Sequence, residues 1–346
     1  MLIGWRHIVV LLLAGVLGAL LVAWSGLISV KASTGHWKIT DIVLHWVMRS
    51  SVRTAAIGTT VPVFTEGMLP MAAGHFEAGC AICHGSPAGS RPDSVAKMLP
   101  PPPDLKDKIA AWSDAELFQI VQHGVRYTGM PAWPVAGRED EAWAMVAFLR
   151  RYPELDANGY RDLAGSLETE PTLEGVIETC NGCHAPERIK PRSLIPRLAG
   201  QSATYLEQAL AAYADGTRPS GIMVVAIERL DGEDRRALAR HFAAEPARLQ
   251  GLASENAARG EALAVTGDPV RRIPACLSCH DKSEANPAFP RLSGQPASYL
   301  ENQLRLFVGK NRGGGPFRHV MEKAVANLKE GDINALVAYF ADRKAQ

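Results

Sequence analysis

Three copies of one pentapeptide constrain this chain more than any other feature: CAICH (Cys80, Cys83, His84), CNGCH (Cys180, Cys183, His184) and CLSCH (Cys276, Cys279, His280). They use all six cysteines. C-x-x-C followed at once by His is the attachment signature of c-type haem. The two thiols add across the haem vinyl groups, and a chain turning helically brings the adjacent histidine under the iron. Structural zinc needs four Cys/His ligands closing a tetrahedron, and each set here is one short. A thioredoxin-like thiol pair belongs near a strand-helix-strand pattern, which the sequence lacks.

The three motif histidines lie 100 and 96 residues apart, and the similarity extends beyond the motif. PRLAGQSATYLEQAL (Pro196 to Leu210) matches PRLSGQPASYLENQL (Pro290 to Leu304), and each runs through a Gly-containing turn to a methionine and then a terminal helix, RALARHFA or NALVAYFA. The first repeat is a more distant relative with the same order: PPPDL (Pro101 to Leu105), HGVRYTGMPAWP, then DEAWAMVAFLRR. Ile333, Leu336, Val337 and Phe340 follow the i, i+3, i+4, i+7 spacing of one buried helical stripe. Leu149, Phe242 and Phe340 occupy matching places. No segment sustains two-residue alternation, so the expected fold is all-α: three tandem domains at 71–152, 171–245 and 253–346. The polar stretch 153–170 reads as a linker. The joint near Glu245 to Leu252 is shorter, which predicts that the last two domains pack as one unit and the first sits apart.

A haem held by one histidine takes a sixth ligand, and methionine raises its potential. Met130, in TGMPAWP, is the candidate in the first repeat, with His123 as rival. Met223 is the single methionine of the second. Met321 is the candidate in the third, with His319 beside it. Met48, Met68, Met71, Met98 and Met145 match no repeated position and read as core filling. His36, His45, His75 and His241 read as structural or surface residues. Iron-bound histidine normally donates its other ring N–H to an acceptor, and the carbonyls of Pro103, Pro196 and Pro290 are the expected partners. Arg197, Arg291, Tyr205 and Tyr299 are candidates to bind haem propionates, with an ordinary surface role as the alternative.

Residues 8–30 form an uncharged, mostly apolar run of 23, long enough as a helix to cross a hydrocarbon core of about 30 Å. A membrane anchor is the expectation and a cleaved signal peptide the competing reading. Covalent haem attachment requires export, so the rest of the chain is expected on the periplasmic side of a bacterial inner membrane. Residues 1–70 would form this anchor and a following amphipathic helix. There Ile39, Ile42, Val43, Trp46 and Val47 recur beside Lys38, Arg49 and Arg53, to lie on the bilayer surface or to pack on the first domain.

Across roughly residues 71–346 the sequence resembles class I c-type cytochromes, through C-x-x-C-H, the P-x-L segment, a downstream methionine and a closing helix. The second and third repeats look like periplasmic dihaem cytochromes c, and the first is similar to single-haem domains of respiratory chains. The resemblance implies small helical domains around three covalently attached haem c groups, each with one edge exposed. PFRHVM in the third repeat departs from the usual ligand loop. With 37 Lys+Arg against 36 Asp+Glu, a nucleic-acid partner is not expected, nor, with both axial positions filled, a small-molecule substrate. The expected role is an electron carrier between a quinol-oxidising complex or dehydrogenase and an acceptor such as a terminal oxidase. A relay subunit of a dehydrogenase is the alternative. A haem peroxidase has only His319 in its favour. Residues 71–170 hold 9 basic and 14 acidic side chains and residues 256–346 hold 13 and 9, a contrast suited to orienting two different partners.

Overall fold

The computed structural model describes residues 4–31, 37–165, 172–246, 257–281 and 286–343. Among them every extended element is helical, and the only sheet-like pairings are isolated bridges at Ser86–Gly89 and Asp268–Ile273. The all-α expectation therefore holds.

Helix α1 (Trp5–Trp24) has 20 residues and buries none of them, and at 1.5 Å per residue it is about 30 Å long. Helix α2 (Lys38–Ala55) touches the first domain, one of the two readings open from its sequence. Its basic edge touches the first helical cluster, with Arg49 4.8 Å over the Trp112 ring and Arg53 Nε 3.6 Å from Glu116. Its apolar face, Ile39, Ile42, Val43, Trp46 and Val47, stays exposed.

The first cluster comprises α3 (Leu69–His75), α4 (Ala81–His84), α5 (Asp93–Ala96), α6 (Leu105–Lys108), α7 (Asp114–His123), α8 (Glu139–Arg151) and α9 (Ala157–Ala164). Residues Glu141 to Leu149 of α8 are all buried, so this helix is covered on every side rather than along one stripe. Phe76, Phe148, Tyr152 and Tyr160 interlock with ring centroids 5.2 to 6.3 Å apart, offset and edge-on geometries that aromatic quadrupoles favour. Met68, Met71 and Met145 belong to this core, as expected of gap-filling side chains.

Helix α9 corrects the linker expectation. Asp156 accepts the Gly159 amide at 2.7 Å and starts the helix. Tyr160, 1% exposed, then enters the aromatic core and donates its hydroxyl to Glu77. Only Tyr160 and Ala164 of α9 are buried, too few apolar positions for a period to show in the sequence. The rest of the expected linker, 166–170, lies outside the described residues, as do position 171 and residues 247–256, where the joint before the third repeat and that repeat's first residues fall.

The second cluster comprises α10 (Leu173–His184), α11 (Ala203–Ala214), α12 (Gly221–Ile227) and α13 (Gly232–Ala244), and the third α14 (Ala257–Val265), α15 (Ala297–Val308), α16 (Arg318–Val325) and α17 (Glu330–Asp342). Each closes on its terminal helix: Leu238, Ala239 and Phe242 in one, Ile333, Leu336, Val337 and Phe340 in the other. In the third repeat, residues 266–275, which include Pro269 and Pro274, separate α14 from Cys276. Proline lacks the amide that would continue a helix. The second motif instead ends α10, and the first follows α3 through a five-residue π turn, Phe76–Cys80, into α4.

The second and third clusters join through a reciprocal exchange. Gln201 donates to the Arg291 carbonyl (2.8 Å) and accepts the Arg291 amide (2.9 Å), while Gln295 donates to the Arg197 carbonyl (2.9 Å) and accepts the Arg197 amide (3.0 Å). Matching residues of P-R-L-x-G-Q thus trade main-chain bonds across a local two-fold. The first cluster does not sit apart. Arg138 donates to the Pro219 carbonyl (2.6 Å), Asn302 to Asp140 (2.9 Å), and Arg188 to the carbonyls of Asp162 and Leu163. At Gly74 a Cβ would come 2.9 Å from Cys183 Sγ, and at Gly165 one would come 2.1 Å from the Gly182 carbonyl. Small residues let the first cluster close onto the second motif, a signal that helical periodicity does not carry.

Candidate functional site

The three motif histidines are held alike. Nδ1 of His84, His184 and His280 lies 3.1, 2.9 and 2.8 Å from the carbonyl oxygens of Pro103, Pro196 and Pro290. A carbonyl only accepts, so each Nδ1 carries the proton and each Nε2 keeps its lone pair for a metal. These are the carbonyls expected from the P-x-L segments. Burial lowers the basicity of all three rings, with the proline bond working the other way, so each is a neutral imidazole near neutral pH. All six cysteines are free and half-buried. Burial pushes the Cys80 and Cys180 thiols up to about 12 and Cys276 to about 11, which keeps them protonated rather than poised as redox thiolates.

Met130, Met223 and Met321 are half-buried, whereas the rival histidines His123 and His319 are exposed. The Met130 amide bonds to the Thr128 hydroxyl (3.1 Å) and its carbonyl accepts from Val125 (3.2 Å). Met98, expected as filler, lies against this loop, its methyl 2.7 Å from where a Gly129 Cβ would be. Met223 is the third residue of α12, its amide on Ser220 Oγ (3.1 Å), and Met321 lies in α16.

Of the propionate candidates, Arg197 is buried and engaged elsewhere, donating to the carbonyls of Gly294 (3.1 Å) and Ile189 (3.3 Å). Arg291 is exposed, and its amide serves the Gln201 exchange. The cations that instead flank Tyr205 and Tyr299 are Arg218 and Arg312, 5% and 8% exposed. Arg218 reaches Tyr299 Oη and Gln303 Oε1, both at 3.4 Å, and stacks 4.4 Å from the Tyr213 ring; Arg312 donates to Gln303 Oε1 at 2.9 Å. Gly314 and Thr217, next to these arginines, share a 2.7 Å main-chain bond. Among the described residues neither guanidinium has a carboxylate within ion-pair distance. Burial opposes ionisation of Tyr205, yet the two cations bring its hydroxyl below the ordinary phenol value. Two buried positive charges without anions are costly, so the pocket is chemically incomplete in a way that acidic groups of a bound porphyrin would complete. Arg218 and Arg312 sit in unlike sequence surroundings, TRPSG and NRGGG, so alignment of the repeats did not single them out.

Paired thiols, a neutral imidazole with a free Nε2 and an anion-seeking pocket fit haem c, and an all-helical chain so equipped is a c-type cytochrome. Residues 70–149 match the family model for cytochrome c oxidase, cbb3-type, subunit III. Cytochrome c4 of Pseudomonas aeruginosa is 33% identical over 185 residues, 52% of this chain and 92% of that protein. The thiosulfate dehydrogenase electron acceptor of Thiomonas intermedia is 31% identical over 171 residues, 47% of this chain and 77% of that protein. The crystal structure of reduced cytochrome c4 from Pseudomonas stutzeri aligns at 28% identity with a TM-score of 0.45, covering 52% of this chain and all of that one. The chain belongs to the cytochrome c4 family of class I c-type cytochromes, and is thus an electron-transfer protein with covalently bound haem c.

Proposed function

We propose that the chain is a membrane-anchored cytochrome with three haem c sites, one in each of the domains 71–152, 171–245 and 253–346, relaying electrons on the periplasmic face of a bacterial inner membrane. The observation that carries this reading is the threefold recurrence of a C-x-x-C-H histidine whose Nδ1 is tied to a proline carbonyl. Bound haem iron supplies one-electron exchange, with a potential set by its axial ligands. The cysteine pairs hold the porphyrin, and His84, His184 and His280 supply the fifth ligand. Met130, Met223 and Met321 would supply the sixth, leaving no open coordination position for a substrate. Arg218 and Arg312 take the porphyrin carboxylates of the second and third sites. Helix α1 crosses the bilayer, and α2 lies along it with Trp46 and its aliphatic neighbours in the interface, Arg49 and Arg53 tying the first domain to that surface.

The relative described as a thiosulfate dehydrogenase electron acceptor favours a second form of the same role, a relay subunit docked on a periplasmic dehydrogenase. Redox titration of the full chain in membranes tests the reading. Three one-electron steps are expected, and substitution of Met130, Met223 or Met321 should each remove one methionine–iron charge-transfer band. Peroxide turnover by the isolated chain, or bands that survive all three substitutions, would overturn it.

A further inference from the structure

Met130 and Met223 belong to different repeats, yet the segments carrying them are built into each other. Trp133, three residues beyond Met130, is buried and lies over Gly221, where a Cβ would come 2.4 Å from the indole nitrogen. That indole N–H donates to Glu141 Oε2 at 3.1 Å. Glu141, on α8 of the first repeat and 2% exposed, also accepts the Gly221 amide (2.7 Å) and the Ser220 hydroxyl (2.6 Å). Its charge is matched by Arg138 Nη1 at 2.8 Å, the same nitrogen that reaches the Pro219 carbonyl. The Ser220 hydroxyl in turn accepts the amide of Met223 (3.1 Å), and Ile222 packs against the first hydrophobic cluster. Every residue from Pro219 to Met223 is therefore held, directly or through Ser220, by the first repeat.

A buried ion pair adds little stability over an apolar contact of the same shape, but its hydrogen bonds fix direction and register. Here they fix the first turn of α12, the turn that bears the methionine. Among the described residues α16 of the third repeat has no such cap: Phe317 precedes it and makes no side-chain bond to it.

We propose that Glu141 is a positioning residue that acts through Ser220, so that the first repeat sets the seat of Met223 and thereby the sixth ligand of the second haem site. The inference rests on the reading of Met223 as that ligand.

The test uses the full-length haem-loaded protein with Glu141→Ala, Ser220→Ala and Ser220→Thr, alongside Met223→Ala. Hydrogen exchange of α12 and the potential of each haem are the readouts. Both alanine variants should raise exchange at the Met223 amide by about tenfold, the scale of one lost buried hydrogen bond. They should also move one potential and leave the other two in place, while Ser220→Thr, which keeps the hydroxyl, restores both readouts. If Met223→Ala removes a charge-transfer band but the alanine variants leave all three potentials fixed, or move all three together, the positioning role is wrong and the ligand assignment stands. If Met223→Ala removes no band, the ligand assignment itself fails. Should Glu141→Ala not fold, because it strands Arg138, Ser220→Ala leaves the ion pair intact and decides the matter alone.

Discussion

Removal of the glutamine exchange between the second and third repeats should loosen the two domains unequally. Gln201 and Gln295 are both buried, and each makes two bonds of 2.8 to 3.0 Å to the opposite main chain. A typical internal hydrogen bond contributes about 1 kcal/mol net, and a buried group left unsatisfied costs about 1–3 kcal/mol. The partners differ: Arg197 is buried, whereas Arg291 is exposed and its main chain can regain water. Gln295→Ala should therefore cost about 3 kcal/mol and Gln201→Ala about 2 kcal/mol on this scale. The double variant should cost less than their sum, because the seam opens once. Urea unfolding of the haem-loaded chain followed by far-ultraviolet circular dichroism measures all three. Costs under about 0.5 kcal/mol, within the range of ordinary surface substitutions, or a larger loss for Gln201→Ala, would refute the reasoning.

Asp332 in α17 is fully buried and accepts from Arg271 (2.6 and 3.2 Å), Arg259 (2.6 Å) and the Lys329 amide (3.0 Å). The Arg271 bond foremost, against burial, holds its carboxyl well below the ordinary range. Its stabilisation is therefore complete above the unfolded value of about 3.9 and is lost as pH falls through the lower folded value; the acid-induced stability loss should shrink in Asp332→Asn, measured by unfolding between neutral pH and about pH 3. Arg218→Ala should shift the potential of the second or third site and leave the first unchanged in a redox titration. A spin label at Val43 of the reconstituted full chain should report burial at headgroup depth, and full water accessibility there would remove α2 from the bilayer surface.

The sequence made the motif histidines, their proline carbonyls and the closing-helix stripe legible because each is a local or strictly repeated pattern. Seams between repeats were not legible in this way. Gln201 and Gln295 stood in the aligned segments, but nothing in one repeat says that its glutamine bonds to the other. Nothing in the sequence sets Glu141 apart from Glu139 and Asp140 beside it in the first turn of α8, and its hydrogen-bond partners Ser220 and Gly221 approach from another repeat. Gly74 and Gly165 carry no polarity or periodicity, only the absence of a side chain where the second motif presses close. The first repeat was therefore expected apart when it is clamped in place. Arg197, conspicuous in its aligned segment, donates to the Gly294 and Ile189 carbonyls, while the buried cations beside the tyrosines are Arg218 and Arg312, in turns that the repeats share only loosely.

Each of the three histidine-bearing motifs is expected to hold a covalent porphyrin. The intact mass of the mature chain, compared with variants in which one cysteine pair at a time is replaced by alanine, tests it most directly. Three haem additions on the parent chain and two on each variant are predicted. A parent carrying fewer than three, or a variant that loses none, would contradict the account.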